Sequence, residues 1–596
     1  MLYVALLGAC ALLRAFGDTA ERPAGLIPRS KAVTPVRIAG EDAKTRTALK
    51  SAALPAKWDA RDQGWVTSVK NQGDVGTCWA FAANAVIETQ LLRLGMGSWD
   101  LSEKNMVNLH GWNLTPEVGG NDLTANGYLL RWAGSVAEKN DVYAMTMEEW
   151  TPSPQLNPPL HIQNVVFTPA LDGTQDAREE TKQYLLAYGA IWVSTCWSGA
   201  YSNGSAYYCN RKASHNHAIT LVGWDDDYPA SNFKRTPYGD GAWIIKNSWG
   251  TDDGDGGYHY VSYYDANFAS SGGSIFIPAQ ESERYDAVRG HDREGAVYDV
   301  SNYYSSYNYC QYDLQAAVFT AGWNEKLSAV GVYTSVYPNP YEILVYTNVV
   351  HGATVPEEGG VLAWRQTGTL KHAGFTTIPL GESIPLPDGT SYSIIYRQTG
   401  SARSTWVNCS VTDWCAPVHT RGDSFFGWMT PSGTAFWSDG VDEASVVDET
   451  DVSWGACIKA YLNNTVAAPD GDVPDESEDG SAMLEELAKS NPALLADTGN
   501  TFGALAGSVG ANGRTLWSSW VAGLDPSNPE AKGLTVLIDA SDGTPRLSWS
   551  PDLGSARTYT IWGRTALDDT TGWFTVAPEE LSTTDAHFFK VSVAVP

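Results

Sequence analysis

The chain has 596 residues and a net charge of −29, from 39 Lys and Arg against 68 Asp and Glu. A phosphate backbone needs a basic face, so this balance excludes sequence-independent nucleic-acid binding and disfavours an anionic membrane surface. At roughly 100–200 residues per domain the length predicts about three or four domains, and 43% apolar with 11% aromatic residues are enough to build their cores.

Residues 2–13 form an apolar run too short to span a bilayer, and Ala15-Phe16-Gly17 offers a small-x-small cleavage site. This reads as a signal peptide over 1–17, and so as a secreted, cell-surface or periplasmic protein in which disulfides can form. No other segment reaches ~18 uninterrupted apolar residues, so no transmembrane segment is expected. Residues 18–53 read as a short pro-segment or linker. Residues 54–278 alternate helical and strand patterns and read as one domain. In 285–464, short alternating runs at 315–320, 328–333, 342–346, 391–396, 424–429 and 456–462 are separated by turn residues, the pattern of a β-sandwich. Residues 465–482 are an acidic linker. Residues 483–596 read as a small C-terminal helix-plus-β module, with strands in LTVLI, RLSWS, TYTIWG and HFFKVSV. Asp475, Asp479 and Glu486 fit a weak calcium-loop spacing, with a solvated linker as the default reading. No firm metal site and no cofactor is expected.

The strongest chemical signal runs from Asn71 to Phe81, NQGDVGTCWAF. Trp79, Phe81, Val86, Ile87, Leu91 and Leu94 recur at helical spacing, and Gly95 follows as a stop. Thr77 is a fair N-cap, which puts Cys78 at a helix start. There the helix dipole and unpaired N–H groups favour the thiolate that attacks carbonyl carbons. A buried, inert Cys fits the same local pattern. Two later segments add a base and its support. His217 heads the apolar strand HAITLVGW, and Asn247 lies just past the strand AWIIK. His215 is a rival base, and strand alternation points it the same way as His217. The run Asp252-Asp253-Gly254-Asp255 reads as a surface turn.

These residues resemble the papain-like cysteine peptidases. The matching pieces are Leu54-Pro55 with Trp58-Asp59, Gln72 to Phe81, Leu101-Ser102-Glu103, Gly119-Gly120, His217-Ala218, Asn247-Ser248-Trp249-Gly250 and Gly256-Gly257-Tyr258, in the family's order. The resemblance implies an α+β, papain-like two-lobed catalytic domain, a helical lobe plus a β-barrel lobe, hydrolysing protein or peptide substrates. It implies Cys78 as nucleophile, His217 as base, Asn247 orienting the His217 ring, and Gln72 as an oxyanion-hole donor. Gly119, Gly120 and Trp249 fall to the substrate side of the site, with Trp249 also shielding the Asn247–His217 bond. The Ala after His217 matches the family motif and favours it over His215.

The chain departs from the family at Val75, where a Cys is usual, and at Glu117-Val118, where its partner would lie. Cys196 and Cys209 bracket a Gly/Ser/Tyr-rich loop instead and are expected to pair, as are Cys409 with Cys415 and Cys310 with Cys457. Residues 285–464 resemble the lectin-like β domain that follows the catalytic domain in some bacterial papain-like peptidases, on Ala296 to Asp299 and Ala456 to Tyr461. That implies a possible carbohydrate or cell-surface ligand. The alternative function is an extracellular binding or adhesion protein with an inactive or secondary peptidase domain.

Overall fold

The protein is described as a computed structural model covering residues 25–28, 36–37, 54–280, 285–292, 298–299, 312–322, 325–387, 389–400, 404–409, 420–430, 434–440 and 454–464, with five short strands between 535 and 594. The expected signal peptide, the acidic linker, the calcium spacing of Asp475, Asp479 and Glu486, and the thiols Cys310 and Cys415 lie outside the described residues.

The first half is α+β. Its helices are α1 (Cys78–Arg93), α2 (Glu103–Leu109), α3 (Asp122–Leu129) and α4 (Gln175–Tyr188). Its main strands are β1 (Lys57–Asp59), β2 (Ile162–Thr168), β3 (Ile191–Thr195), β4 (His217–Asp225), β5 (Ala242–Lys246), β6 (Tyr258–Ser262) and β7 (Gly273–Pro278). They pair in the order β2-β7-β3-β4-β5-β6, with β1 set against β4.

Every residue of α1 from Cys78 to Leu91 is buried. A helix covered on all sides must pack on several elements at once, and α1 lies against α2, α3, β3, β4 and β7. Trp79 and Trp192 tie helix to sheet, the Trp192 indole N–H donating to the Trp79 carbonyl at 3.1 Å. Chain direction changes after Leu94, where Gly95 adopts φ +71°, a conformation that costs a side-chain-bearing residue about 1–2 kcal/mol.

One face of α1 carries charge into the interior. Lys70 Nζ contacts Glu88 Oε1 at 3.0 Å, Glu103 Oε1 at 2.9 Å and Asp100 Oδ1 at 2.7 Å. It also donates to the Leu101 carbonyl at 2.8 Å, while Asn84 Nδ2 donates to Glu103 Oε1 at 3.1 Å. These bonds fix the segment before Cys78 to α1 and to the start of α2.

The second half is β. Its strands are β8 (Leu314–Thr320), β9 (Glu325–Thr334), β10 (Asn339–Val349), β11 (Val361–Leu370), β12 (Gly374–Pro385), β13 (Ser391–Gln398), β14 (Ser424–Met429), β15 (Ala435–Asp439) and β16 (Ile458–Asn464). The six alternating runs of the sequence all fall on strands. A six-stranded sheet runs β11-β10-β13-β8-β14-β15. Three of the other strands, β16, β9 and β12, continue the sheet of the first half, because β12 pairs with β2, Gly374 opposite Val166 and Phe375 opposite Val165, while Tyr298–Asp299, Trp406–Cys409 and Trp454–Ala456 form a three-stranded sheet of their own. Gly374 is needed there, since a Cβ would run into the Val165 carbonyl.

The chain divides into two compact units. The first contains both of these halves; the second is Thr320–Lys326, Pro385–Thr390 and Asn464–Pro596. In the second, Thr535–Asp539 pairs with Arg546–Ser550, and Thr558–Arg564 pairs with Phe574–Thr575 and Phe588–Ala594. Four of these are the strands the sequence pattern indicates; Phe574–Thr575 is an addition.

Replacing Lys70 by Met leaves Glu88 and Glu103 buried without their cation. Removing one partner of a buried ion pair costs about 3–5 kcal/mol, so Lys70→Met should lower the urea midpoint by that equivalent. An unchanged midpoint refutes a structural role for this cluster.

Candidate active site

Cys78 opens α1, and its Sγ accepts the backbone N–H of Ala218 at 3.4 Å. Ala218 follows His217 at the head of β4, so helix start and strand start meet at the thiol. The ring of His217 donates from Nε2 to Asn247 Oδ1 at 2.8 Å. Its Nδ1 is buried without a hydrogen-bond partner. Trp249 stacks on the His217 ring at 4.5 Å between centroids and 15° between planes. Trp197 meets the same ring edge-on at 5.8 Å. The two indoles keep water from the His217–Asn247 bond, and a bond in low dielectric is the stronger for it.

His215 is not a competitor. It precedes β4 instead of lying in it, so strand alternation does not reach it. Ser194 Oγ and Ser270 Oγ occupy its two ring nitrogens at 2.8 and 2.9 Å.

Gln72 is positioned by a short pairing of its segment with the one after β5. Its backbone N–H donates to the Ser248 carbonyl at 2.8 Å, and Asn71 bridges to Trp249. The Ser248 hydroxyl donates to Gln72 Oε1 at 2.7 Å, which forces Nε2 the other way, where it donates to the Val75 carbonyl at 2.9 Å. Thr77 precedes α1 as expected but makes no side-chain capping bond. Its hydroxyl pairs with Tyr143 Oη at 2.6 Å instead, because Tyr143 is held over the turn by its bond to the Gln72 carbonyl.

Residues 25–28 lie across this site. Leu26 N–H donates to Asn216 O at 3.3 Å, Ile27 N–H to Gly120 O at 3.0 Å, and Gly120 N–H to Gly25 O at 3.1 Å. The strand direction at Leu26 and Gly120 is parallel. Gly119 has φ +94°, and a Cβ on it would collide with the Gly25 carbonyl, so bare backbone at this pair is what lets another chain approach.

With the site covered, burial pushes the Cys78 thiol up to about 12, against hydrogen bonds to sulfur from the N–H groups of Ala218, Trp79 and Cys78. Burial likewise pushes the His217 imidazolium down to about 4, against the Asn247 bond and the charge of Asp253. The sequence position at a helix start led us to expect a thiolate. In the covered arrangement burial works against both the thiolate and the imidazolium, because each ion would be stripped of water.

Residues 54–272 match the family model described as papain family cysteine protease, and residues 297–462 match the lectin like domain. Residues 54–272 thus resemble the papain family of cysteine proteases. Among curated relatives, cysteine proteinase 15A of Pisum sativum is 31% identical over 224 residues, which are 36% of this chain and 59% of the pea protein. Cysteine proteinase 1 of Zea mays is 31% identical over 242 residues, 38% of this chain and 61% of the maize protein. The chain spans about three fifths of the length of these relatives. Among solved structures, the cysteine protease and lectin-like domains of Cwp84, a surface layer associated protein of Clostridium difficile, superpose with a TM-score of 0.58 at 23% identity, covering 71% of this chain and 95% of that one. That likeness extends the papain-like and lectin-like folds over both halves of the first unit.

The papain-like domain contains candidate site residues whose roles sequence patterns did not mark. Asp253 Oδ2 accepts from Asn247 Nδ2 at 2.8 Å and contacts His259 Nε2 at 2.7 Å. The run Asp252 to Asp255 does form a turn, with Gly254 at φ +62°, but it is only partly a surface feature, because it aims Asp253 inward. Trp197 and Ser248 were equally unmarked. The expected disulfide between Cys196 and Cys209 is absent. The Cys209 thiol instead donates to the Arg211 carbonyl at 3.3 Å, and Asp265 holds the Cys209 backbone N–H at 2.7 Å. Cys457 is buried in the second half, and its expected partner lies outside the described residues.

Gly25 packs so closely on Gly76 that a Cβ cannot fit. Gly25→Val should therefore dislodge residues 25–28. Loss of the three backbone bonds at about 1 kcal/mol each raises access to Cys78 roughly 140-fold. Iodoacetamide labelling of Cys78, followed by peptide mapping, measures this; equal rates in variant and wild type would refute the cover.

Proposed function

We propose that the chain is a secreted or surface-exposed cysteine peptidase that cleaves peptide bonds through a thioester on Cys78. The observation that carries this reading is the orientation of His217, bound through Nε2 to Asn247 and bare at the buried Nδ1, beside a Cys at a helix start. The Sγ proton passes to Nδ1, and the thiolate attacks the substrate carbonyl carbon. The oxyanion that forms is met by the Gln72 side-chain N–H and the Cys78 backbone N–H. As the C–N bond breaks, His217 returns the proton to the departing amine, and then takes one from the water that splits the thioester. Gly119 and Gly120 receive the substrate backbone, in competition with residues 25–28, so that segment has to leave first. Trp249 acts from behind His217 as its shield.

Secretion and surface placement are supported by the apolar N-terminal run and by the shared fold with Cwp84, itself a surface layer associated protein. Among the described residues no helix is long and apolar enough to cross a membrane. The lectin-like half supports a carbohydrate or cell-surface ligand, for which a glycan array on the full chain is the direct assay.

An epoxide-type thiol inhibitor should label Cys78 in the wild type and nothing in Cys78→Ala, with peptide hydrolysis lost in the variant. Absence of labelling in folded, uncovered protein would falsify the peptidase reading. Gln72→Ala removes one oxyanion donor and should lower kcat by about 100–1,000-fold; a kcat within twofold of wild type argues against that role.

A further inference from the structure

Beyond Asn247 the polar chain continues. His217 Nε2, Asn247 Oδ1, Asn247 Nδ2, Asp253 Oδ2 and His259 Nε2 follow one another at 2.8, 2.8 and 2.7 Å per bond. We propose that Asp253, clamped by His259, is a positioning residue that sets which way the Asn247 amide faces, fixes the tautomer of His217 through it, and holds the imidazolium that forms when Cys78 yields its proton. This inference rests on the peptidase reading and deepens it.

The argument is one of donors and acceptors. A side-chain amide can turn over, exchanging its oxygen and nitrogen, and only its partners decide between the two positions. An ionised carboxylate accepts and never donates. Asp253 therefore draws Nδ2 to itself and turns Oδ1 towards His217. The oxygen can only accept, so His217 must carry its proton on Nε2, leaving Nδ1 as the lone-pair nitrogen that can take up a proton. With the amide turned over, Nδ2 would meet Nε2, and the proton would belong on Nδ1, where it blocks transfer from sulfur.

The clamp is built, not incidental. His259 projects from β6, is almost fully buried, and has an Nδ1 with no hydrogen-bond partner, so its polar contact is the one with Asp253. Gly254 leaves room for it; a Cβ there would sit 2.7 Å from His259 Nε2. Trp197 packs edge-on against both imidazoles, 5.0 Å from His259 and 5.8 Å from His217. The turn does not need the carboxylate for its own closure, because Gly257 N–H donates to the Asp253 carbonyl at 2.7 Å and Asp255 N–H to the Tyr258 carbonyl at 2.9 Å. The titratable groups facing His217 are Cys78 from α1, Asp253 from the turn and His259 from β6. The Asp253 charge favours the imidazolium against burial, as the Cys78 thiolate does once it forms; His259 opposes it.

The test is Asp253→Asn in the full chain, which keeps the shape and removes the charge. Cys78 alkylation by iodoacetamide, mapped by mass spectrometry across the pH range, reads the thiolate directly and does not depend on any substrate. The neutral-pH rate should fall at least about tenfold, the scale for losing a partner that orients a functional imidazole, and the onset of alkylation should move to higher pH. kcat should fall with KM unchanged. His259→Gln, which retains an N–H for Asp253, should give a smaller loss of the same sign, and it serves if Asp253→Asn does not fold. If Asp253 only braced the turn, its loss would loosen the site and speed alkylation at every pH; that result, or a profile identical to wild type, overturns the proposal. Wild-type alkylation at Cys78 without peptide hydrolysis would defeat the peptidase reading and leave this test intact.

Discussion

The N–H of Ala218 on the sulfur of Cys78 marks where α1 meets the head of β4. A helix buried on all sides has no freedom to slide, because any shift would open cavities along Trp79, Val86 and Leu91 at once. Its first residue is therefore fixed relative to β4, and with it the thiol relative to His217. Everything chemical about the molecule depends on that packing. β4 begins with His217, Asn247 follows the end of β5, and the segment paired with Trp249 carries Gln72. Residues from three separate stretches of sequence are brought together because one helix lies across one sheet.

Burial gives the site its geometry and opposes its charge. The same apolar enclosure around Cys78 and His217 disfavours both of their ions while residues 25–28 pair with Gly120. Ion-pair formation then depends on what replaces water around two opposite charges. The helix start and the backbone N–H groups serve the sulfur; the Asn247–Asp253 chain serves the ring. A separate group, Lys70 with the buried Glu88 and Glu103 and the exposed Asp100, holds the backbone leading into the site.

Joining of the two halves has a similar physical basis. The lectin-like half contributes β12 to the free edge of β2. An unpaired edge of a sheet exposes a row of N–H and carbonyl groups that needs covering, and here strands from later in the same chain do it. Thr377 adds to the joint, its backbone N–H donating to Asn164 Oδ1 at 2.9 Å. One sheet therefore runs through both halves of the first unit.

Sequence alone determined the order of the reactive residues, the helix that begins at Cys78, the strand that begins at His217, and the alternating runs that became β8, β9, β10, β13, β14 and β16. These are legible because 3.6-residue and two-residue periodicities are local, and because Cys78, Gln72, His217 and Asn247 sit in motifs with their own neighbours. The roles of Asp253, His259, Trp197 and Ser248 were not legible. Each acts through a partner on another element, and a polar residue beside glycines reads as a turn until something is packed against it. The pairing expected between Cys196 and Cys209 failed for the complementary reason: closeness in sequence says nothing about where two sulfurs point. Nor could pattern show that β12 would complete the edge of β2, since edge-to-edge pairing leaves no period in either strand. Local chemistry wrote the elements and the nucleophile; only the folded packing decided which side chains complete the site, and whether its thiol is covered.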